Sequence, residues 1–292
     1  MQEIPLKESD ISKLKKYPLD GIWSTESEIL YYKKDKEWNK STLIKKLFIT
    51  EEKKVQRKID TITAIHDSEL SEYKELVLPE DIIVVGGVNS GFTIQEVIDS
   101  TNLALILKNR KIHDSVKIKI LKKIGELLHR VHHQSQEFYF GDLQEFNLLV
   151  DKEGEIYVVD LDSSAVNRKT PLETKYIILD KKTHDVNKYK VNKASRSYPN
   201  KDSDIFCYNT MVLNYLAGRQ ITNLSYNEYY DYIEYLKKIG IPKGMIDIYI
   251  NHYTDKDNES VSDYLDKIPS VPRADYKVFQ YVKQNKVFIS KK

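Results

Sequence analysis

Cysteine is nearly absent: the 292 residues hold only Cys207, so no internal disulfide can form and a disulfide-stapled secreted scaffold is excluded. Long apolar runs are missing too. Nothing approaches the roughly 18 consecutive apolar residues of a spanning helix, and the opening MQEIPLKESD has no signal-peptide apolar core. Neither sign of charge dominates: 46 Lys and Arg oppose 44 Asp and Glu, a net of +2, which argues against a general nucleic-acid or membrane-surface binder. The expectation is a soluble cytoplasmic protein with neither kind of partner. Repeats and low-complexity linkers are also absent. What remains is 40% apolar and 31% charged, enough for a globular core, and the length suits two lobes.

The most informative stretch is FYFGDLQEFNLLVDKEGEIYVVDLDS, residues 138–163. Asp142 is followed five positions later by Asn147, then by an apolar run, a polar DKEG turn, a second apolar run and Asp160. Two short strands around the turn predict a hairpin with Asp142 and Asn147 at its mouth and Asp160 at the far end. Two carboxylates and a carboxamide are hard oxygen donors suited to a divalent ion between phosphates. Asp and Asn are also common turn formers, so the same residues fit a plain surface hairpin.

The D-x-x-x-x-N spacing, and D-L-D at the distance where D-F-G is found, resemble the catalytic loop and metal motif of protein kinases. The chain therefore resembles the protein-kinase-like phosphotransferase superfamily, as a divergent bacterial or phage-type member, over about Gly21 to Ile268. That resemblance implies an α+β bilobal fold. A polar helical extension (residues 1–20) would precede an N-lobe with a five-stranded antiparallel sheet and one helix (21–97), followed by a mainly helical C-lobe (98–292). It also implies ATP and Mg²⁺ as cofactors. Asp142 would orient the attacking hydroxyl and accept its proton, and Asn147 and Asp160 would hold Mg²⁺ against the phosphates. Asp162, where the family has Gly, is expected either to face the metal or to cap a turn.

In the N-lobe the match is looser. The family's glycine-rich loop is replaced by Gly21 followed by Ser24, Thr25, Glu26 and Ser27, whose hydroxyls would stand in as phosphate donors. In TLIKKLFI the phosphate-steadying lysine is Lys45 or Lys46, which face opposite sides of a strand; T-L-I-K favours Lys45. Val55, Ile59, Ile62 and Ile65 mark a helix over 53–65. It offers no evident acidic partner for that lysine: Lys58 and Asp60 occupy the expected region, with Glu51 and Glu52 earlier. DIIVV and SGFTIQEV read as two strands around a Gly-Gly turn. By resemblance the Glu96 carbonyl and Ile98 backbone would meet the adenine edge, with Gln95 as gatekeeper.

Further on, SVKIKILKKIGELLHRVHH is an amphipathic helix with Ile118, Leu121, Ile124, Leu128 and Val131 at helical spacing. Its His129, His132 and His133 have no accompanying carboxylate or cysteine pattern and read as structural rather than metal-binding. Residues 164–203 are polar and basic and stand where the family has its activation segment, with hydroxyls at Thr170, Thr174, Thr183, Ser195 and Ser197. DIFCYNTMVLNYLAG resembles the family's buried helix, in which Asp204 would brace the catalytic loop.

Three function classes follow. The first is a serine/threonine-protein kinase acting on a protein substrate. The second is a phosphotransferase for a small hydroxyl compound, suggested by Gly141 before Asp142 and by Gln144 where protein kinases usually carry Lys. The third is a pseudokinase scaffold, suggested by the missing glycines and acidic helix partner.

Overall fold

Alternating apolar residues build the sheet that carries the candidate site. In the computed structural model, residues 1–18, 26–35, 40–48, 51–134, 137–167, 177–179, 191–193, 199–217, 226–251 and 259–268 are described. The chain divides into two compact units, one of Met1–Leu103, His132–Glu173 and Tyr198–Asn200, the other of Ala104–Val131, Thr174–Ser197 and Lys201–Lys292. Among the described residues no helix is long and apolar enough to cross a membrane.

The first unit is α+β. Its main sheet contains β1 (Glu3–Leu6), β2 (Ser27–Asp35), β3 (Lys40–Leu47), β4 (Pro79–Val85) and β5 (Val88–Gln95), in the order β1-β4-β5-β3-β2. The Gly-Gly turn between β4 and β5 has positive φ at both residues, 60° and 84°, as a tight two-residue hairpin requires. The expectation of a wholly antiparallel sheet is corrected: β1 runs parallel to β4, Glu3 opposite Ile82 and Leu6 opposite Val85. The expected helix over residues 1–20 shrinks to one turn, α1 (Glu8–Ile11). The cause is burial. Ile4, Leu6, Ile11 and Leu14 pack on Leu30, Ile44, Ile83 and Val85, covering the outer sheet face, so the N-terminal segment belongs to this core. Residues 15–17 then pair antiparallel with β2, the Tyr17 N–H donating to the Ile29 carbonyl at 2.9 Å.

The inner sheet face packs against helix α2 (Glu52–His66): Val55, Ile59 and Ile62 meet Leu47 and Phe92. This apolar stripe is the 3.6-residue pattern of the sequence. Following the sheet, β6 (Thr101–Asn102), β7 (Phe138–Tyr139), β8 (Leu148–Val150), β9 (Ile156–Val158) and β10 (Ala165–Val166) form two small sheets, β6-β8-β9 and β7-β10. The DKEG turn joins β8 to β9. There the Asp151 carboxylate accepts the Glu153 and Glu155 N–H groups at 3.0 and 2.9 Å, an Asx-type closure.

The second unit is mainly helical: α3 (Leu103–Lys108), α4 (Asp114–His132), a strand pair β11 (Ile177–Leu179) and β12 (Val191–Lys193), α5 (Lys201–Ala217), α6 (Tyr226–Lys238) and α7 (Lys243–Asn251). Buried polar groups tie its helices together. The Tyr208 hydroxyl donates to the Leu121 carbonyl at 3.0 Å, and that of Tyr249 to the Asn209 carbonyl at 3.1 Å. The Asn209 amide donates to the Glu259 carbonyl at 2.8 Å and accepts from the Val261 N–H at 3.1 Å. Thr170, Thr174, Thr183, Ser195 and Ser197, the hydroxyls expected in an activation segment, lie outside the described residues.

Because Ile11 is buried (4% exposed) in the outer-face cluster, Ile11→Ala is expected to cost about 2–5 kcal/mol. The measurement is the urea unfolding midpoint; an unchanged midpoint would mean that the N-terminal segment does not hold the sheet.

Candidate active site

Strand parity separates the two adjacent lysines of β3. Lys45 points inward, its side chain 8% exposed, with its ammonium above the Phe92 ring. Lys46 points to the other side and reaches Glu28 at 4.0 Å. The Lys45 ammonium contacts Asp160 and bonds to Asp162 Oδ1 at 2.8 Å. Lys58 of α2 bonds the other oxygen, Asp162 Oδ2, at 2.7 Å and lies 3.4 Å from Glu26. Asp162 is fully buried. Both of its oxygens hold lysines.

On the opposing side, Asn147 Nδ2 donates to the Asp142 carbonyl at 2.9 Å and to its carboxylate at 3.1 Å, while Gln144 Nε2 donates to both Asp142 carboxylate oxygens at 3.1 and 3.0 Å. The Val159 N–H donates to the Asn147 carbonyl at 2.9 Å, bringing Asn147 next to the Asp160 turn. Asp142, Asn147, Asp160 and Lys45, from three separated segments, thus share one unit and one linked set of contacts.

The loop carrying Asp142 is clamped on several sides. β7 pairs with β10, the Ser164 hydroxyl donates to the Phe140 carbonyl at 3.2 Å, and the Asn102 amide donates to the Phe146 carbonyl at 2.7 Å. Gly141 has φ 72°, and a Cβ there would collide with the Ser163 carbonyl oxygen and crowd the Pro199 ring. Only glycine fits both demands. Asp160 is itself left-handed, φ 66° and ψ 46°. Strain of this kind, about 1–3 kcal/mol, persists where the surroundings hold it, most often at functional sites.

The electrostatics are those of crowded carboxylates. Burial alone would lower the Lys45 ammonium, but the Asp162 and Asp160 carboxylates outweigh it and hold it above its usual value. Against the effect of burial, Lys45, a hydrogen bond with Asp160, and Lys58 keep Asp162 well below the carboxylate range. Burial pushes Asp160 up to about 7; the Lys45 charge opposes this and the Asp162 carboxylate adds to it. Asp142 stands at the surface, yet desolvation raises it against its Asn147 and Gln144 donors.

These groups fit a phosphate-bound divalent ion. Asn147 Oδ1 takes no hydrogen bond among the described residues, since its amide is spent through Nδ2. With Asp160 it offers two hard oxygen donors, the remainder coming from phosphate and water. Among the described residues no group of three or more His, Cys, Asp or Glu could hold a metal by itself.

The Glu96 N–H is tied to the Ser41 carbonyl at 2.9 Å, and Glu96 and Ile98 border a concavity of about 580 Å³ that also contacts Tyr17, Tyr31 and Ser100. Tyr17 and Tyr31 lie with ring centroids 5.1 Å apart. Gln95 is exposed, and its amide is spent on Glu80 at 2.9 Å. Ser24 and Thr25 lie outside the described residues. Sequence reasoning missed Lys58, Asn102 and the tyrosine pair. Lys58 alone left a signal: it recurs at i+3 from Val55 and i−4 from Ile62, on the apolar face of α2. The chain matches no protein-family model and no curated protein.

A carboxyl raised on folding binds its proton more tightly in the native state, so its contribution is full at low pH and is lost as pH rises from about 4 toward 7. In metal-free buffer, Asp160→Asn is therefore expected to gain stability relative to wild type across that window. Urea midpoints of the two proteins at pH 4, 5.5 and 7 check this; a constant difference contradicts it.

Gly141→Ala is expected to destabilise the fold by at least about 1 kcal/mol, because the left-handed backbone and the Ser163 carbonyl both oppose a side chain. A thermal melt of the variant reads this, and an unchanged Tm speaks against the clamp.

Proposed function

We propose that the chain is an ATP- and Mg²⁺-dependent phosphotransferase of protein-kinase-like bilobal fold, acting on a serine or threonine of a protein. The observation that carries this reading is the meeting of the Asp142–Asn147 pair with the Lys45–Asp160 pair within one unit. In-line phosphoryl transfer needs alignment and charge neutralisation more than covalent help, and these groups supply both. Asn147 and Asp160 would hold Mg²⁺, which when bound neutralises phosphate charge. Lys45 steadies the α- and β-phosphates, releasing Asp160 as it does so. The adenine lies in the concavity of Tyr17, Tyr31 and Glu96–Ser100.

Asp142 orients the acceptor hydroxyl and takes its proton as the hydroxyl oxygen bonds to the γ-phosphorus. The bond from that phosphorus to the bridging oxygen breaks, and ADP leaves with the electron pair. Asn147 and Gln144 keep the carboxylate aimed. Desolvation raises its proton affinity, as a general base near neutral pH requires.

A second reading, transfer to a small hydroxyl compound, draws on Gln144. Its amide spans both Asp142 oxygens where a protein kinase would present a lysine to the reacting phosphate. Purified protein with Mg²⁺ and γ-labelled ATP separates the two. Label on a generic acceptor protein supports the first, and turnover only with a small hydroxyl compound supports the second. If ATP is consumed in neither case, both fall. Within the first reading, Asp142→Asn is expected to lower kcat about 10²–10⁴-fold with KM for ATP nearly unchanged. Full activity in that variant would remove Asp142 from the reaction.

A further inference from the structure

Helix α2 presents no acid to the site. Asp60 is exposed and accepts the Gln56 amide at 2.9 Å, and Glu51 is exposed and pairs with Lys54. What α2 turns inward is Lys58, its side chain 3% exposed, on the stripe that also carries Val55 and Ile62. The ammonium is enclosed by Asp162 at 2.7 Å and Glu26 at 3.4 Å. The carboxylate it meets is shared: Asp162 gives Oδ2 to Lys58 and Oδ1 to Lys45. One buried anion therefore joins α2, strand β3 and the Leu161–Ser163 turn, while Glu26 extends the link to the start of β2.

We propose that Lys58, acting through Asp162, is a positioning residue: a charge-reversed latch that fixes α2 against the 161–163 turn and aims Lys45. Coulomb attraction depends on the product of the charges, so a helix lysine and a turn aspartate hold two elements together as well as the opposite arrangement. Glu26 beside Lys58 and Asp160 beside Lys45 complete the charge balance of the two ammoniums around Asp162. The aiming of Lys45 rests on the phosphotransferase reading; the latch itself does not.

Wild type, Lys58→Met, Lys58→Arg, Asp162→Asn and the Lys58→Met/Asp162→Asn double variant, all as full chains, are compared by urea unfolding and by MgATP affinity. Lys58→Met is expected to weaken MgATP binding about tenfold or more, and Lys58→Arg to stay within about threefold of wild type. The double variant is expected to unfold at a midpoint no lower than the worse single variant, the non-additivity of residues in contact. Additive midpoints overturn the latch, and wild-type MgATP affinity in Lys58→Met overturns the aiming of Lys45. If Lys58→Met does not fold, Lys58→Gln, which keeps a donor toward Asp162 without the charge, is read against the same limits. If wild type binds no MgATP, the phosphotransferase reading fails, while the urea comparison still decides the latch.

Discussion

A carboxylate with no access to water must be paired or it will not stay charged. Asp162 meets that constraint by taking one lysine on each oxygen, and much of the first unit is arranged around the result. Removing one partner from a buried pair of this kind commonly costs about 3–5 kcal/mol, because the other charge is stranded. Lys45 brings in strand β3, Lys58 the helix, and Asp162 the turn that follows Asp160. Three segments distant in sequence are therefore held in register by a single anion.

The same turn governs the groups around it. Asp160 sits in a left-handed conformation, which Asp tolerates better than most non-glycine residues but still at a cost, and the contacts on either side of it help to hold it there. Lys45 meets its side chain, and Ser163 and Ser164 bear on the loop at Phe140 and Gly141. Gly141 lets the two backbones approach, and Asn102 closes the far side of the loop through the Phe146 carbonyl. The Asp142–Asn147 contact thus sits on a support built from the strand ends and turns beside it. For the proposed phosphoryl transfer, in which small errors in placement are costly, this support would limit them.

Charge follows from the same geometry. Asp160 is the carboxyl of the set that is pushed upward, to about 7, and Asp162 the one held down. Two neighbouring carboxylates thus carry opposed shifts, Asp162 held as the anion of two lysines and Asp160 pushed up by desolvation. The two differ because Asp162 takes a lysine on each oxygen, whereas at Asp160 burial and the Asp162 carboxylate outweigh the single lysine.

Much of this was legible in the residues alone. The five-residue step from Asp142 to Asn147 and the apolar runs about the DKEG turn mark the hairpin, since strand alternation and turn chemistry are local. The inward stripe of α2 and the opposite facing of Lys45 and Lys46 follow from helical and strand periodicity in the same way. Other features were decided only by tertiary contact. The first strand reads as polar helix until Ile4 and Leu6 find Ile83 and Val85, nearly eighty positions away. Lys58 reads only as a lysine on the apolar face of α2 until Asp162, 104 positions on, closes over it. Periodicity tells which way a side chain points, because that depends on its neighbours along the chain. What it meets there depends on residues that only folding brings near, and so the pairing of Lys58 with Asp162 was decided by the fold.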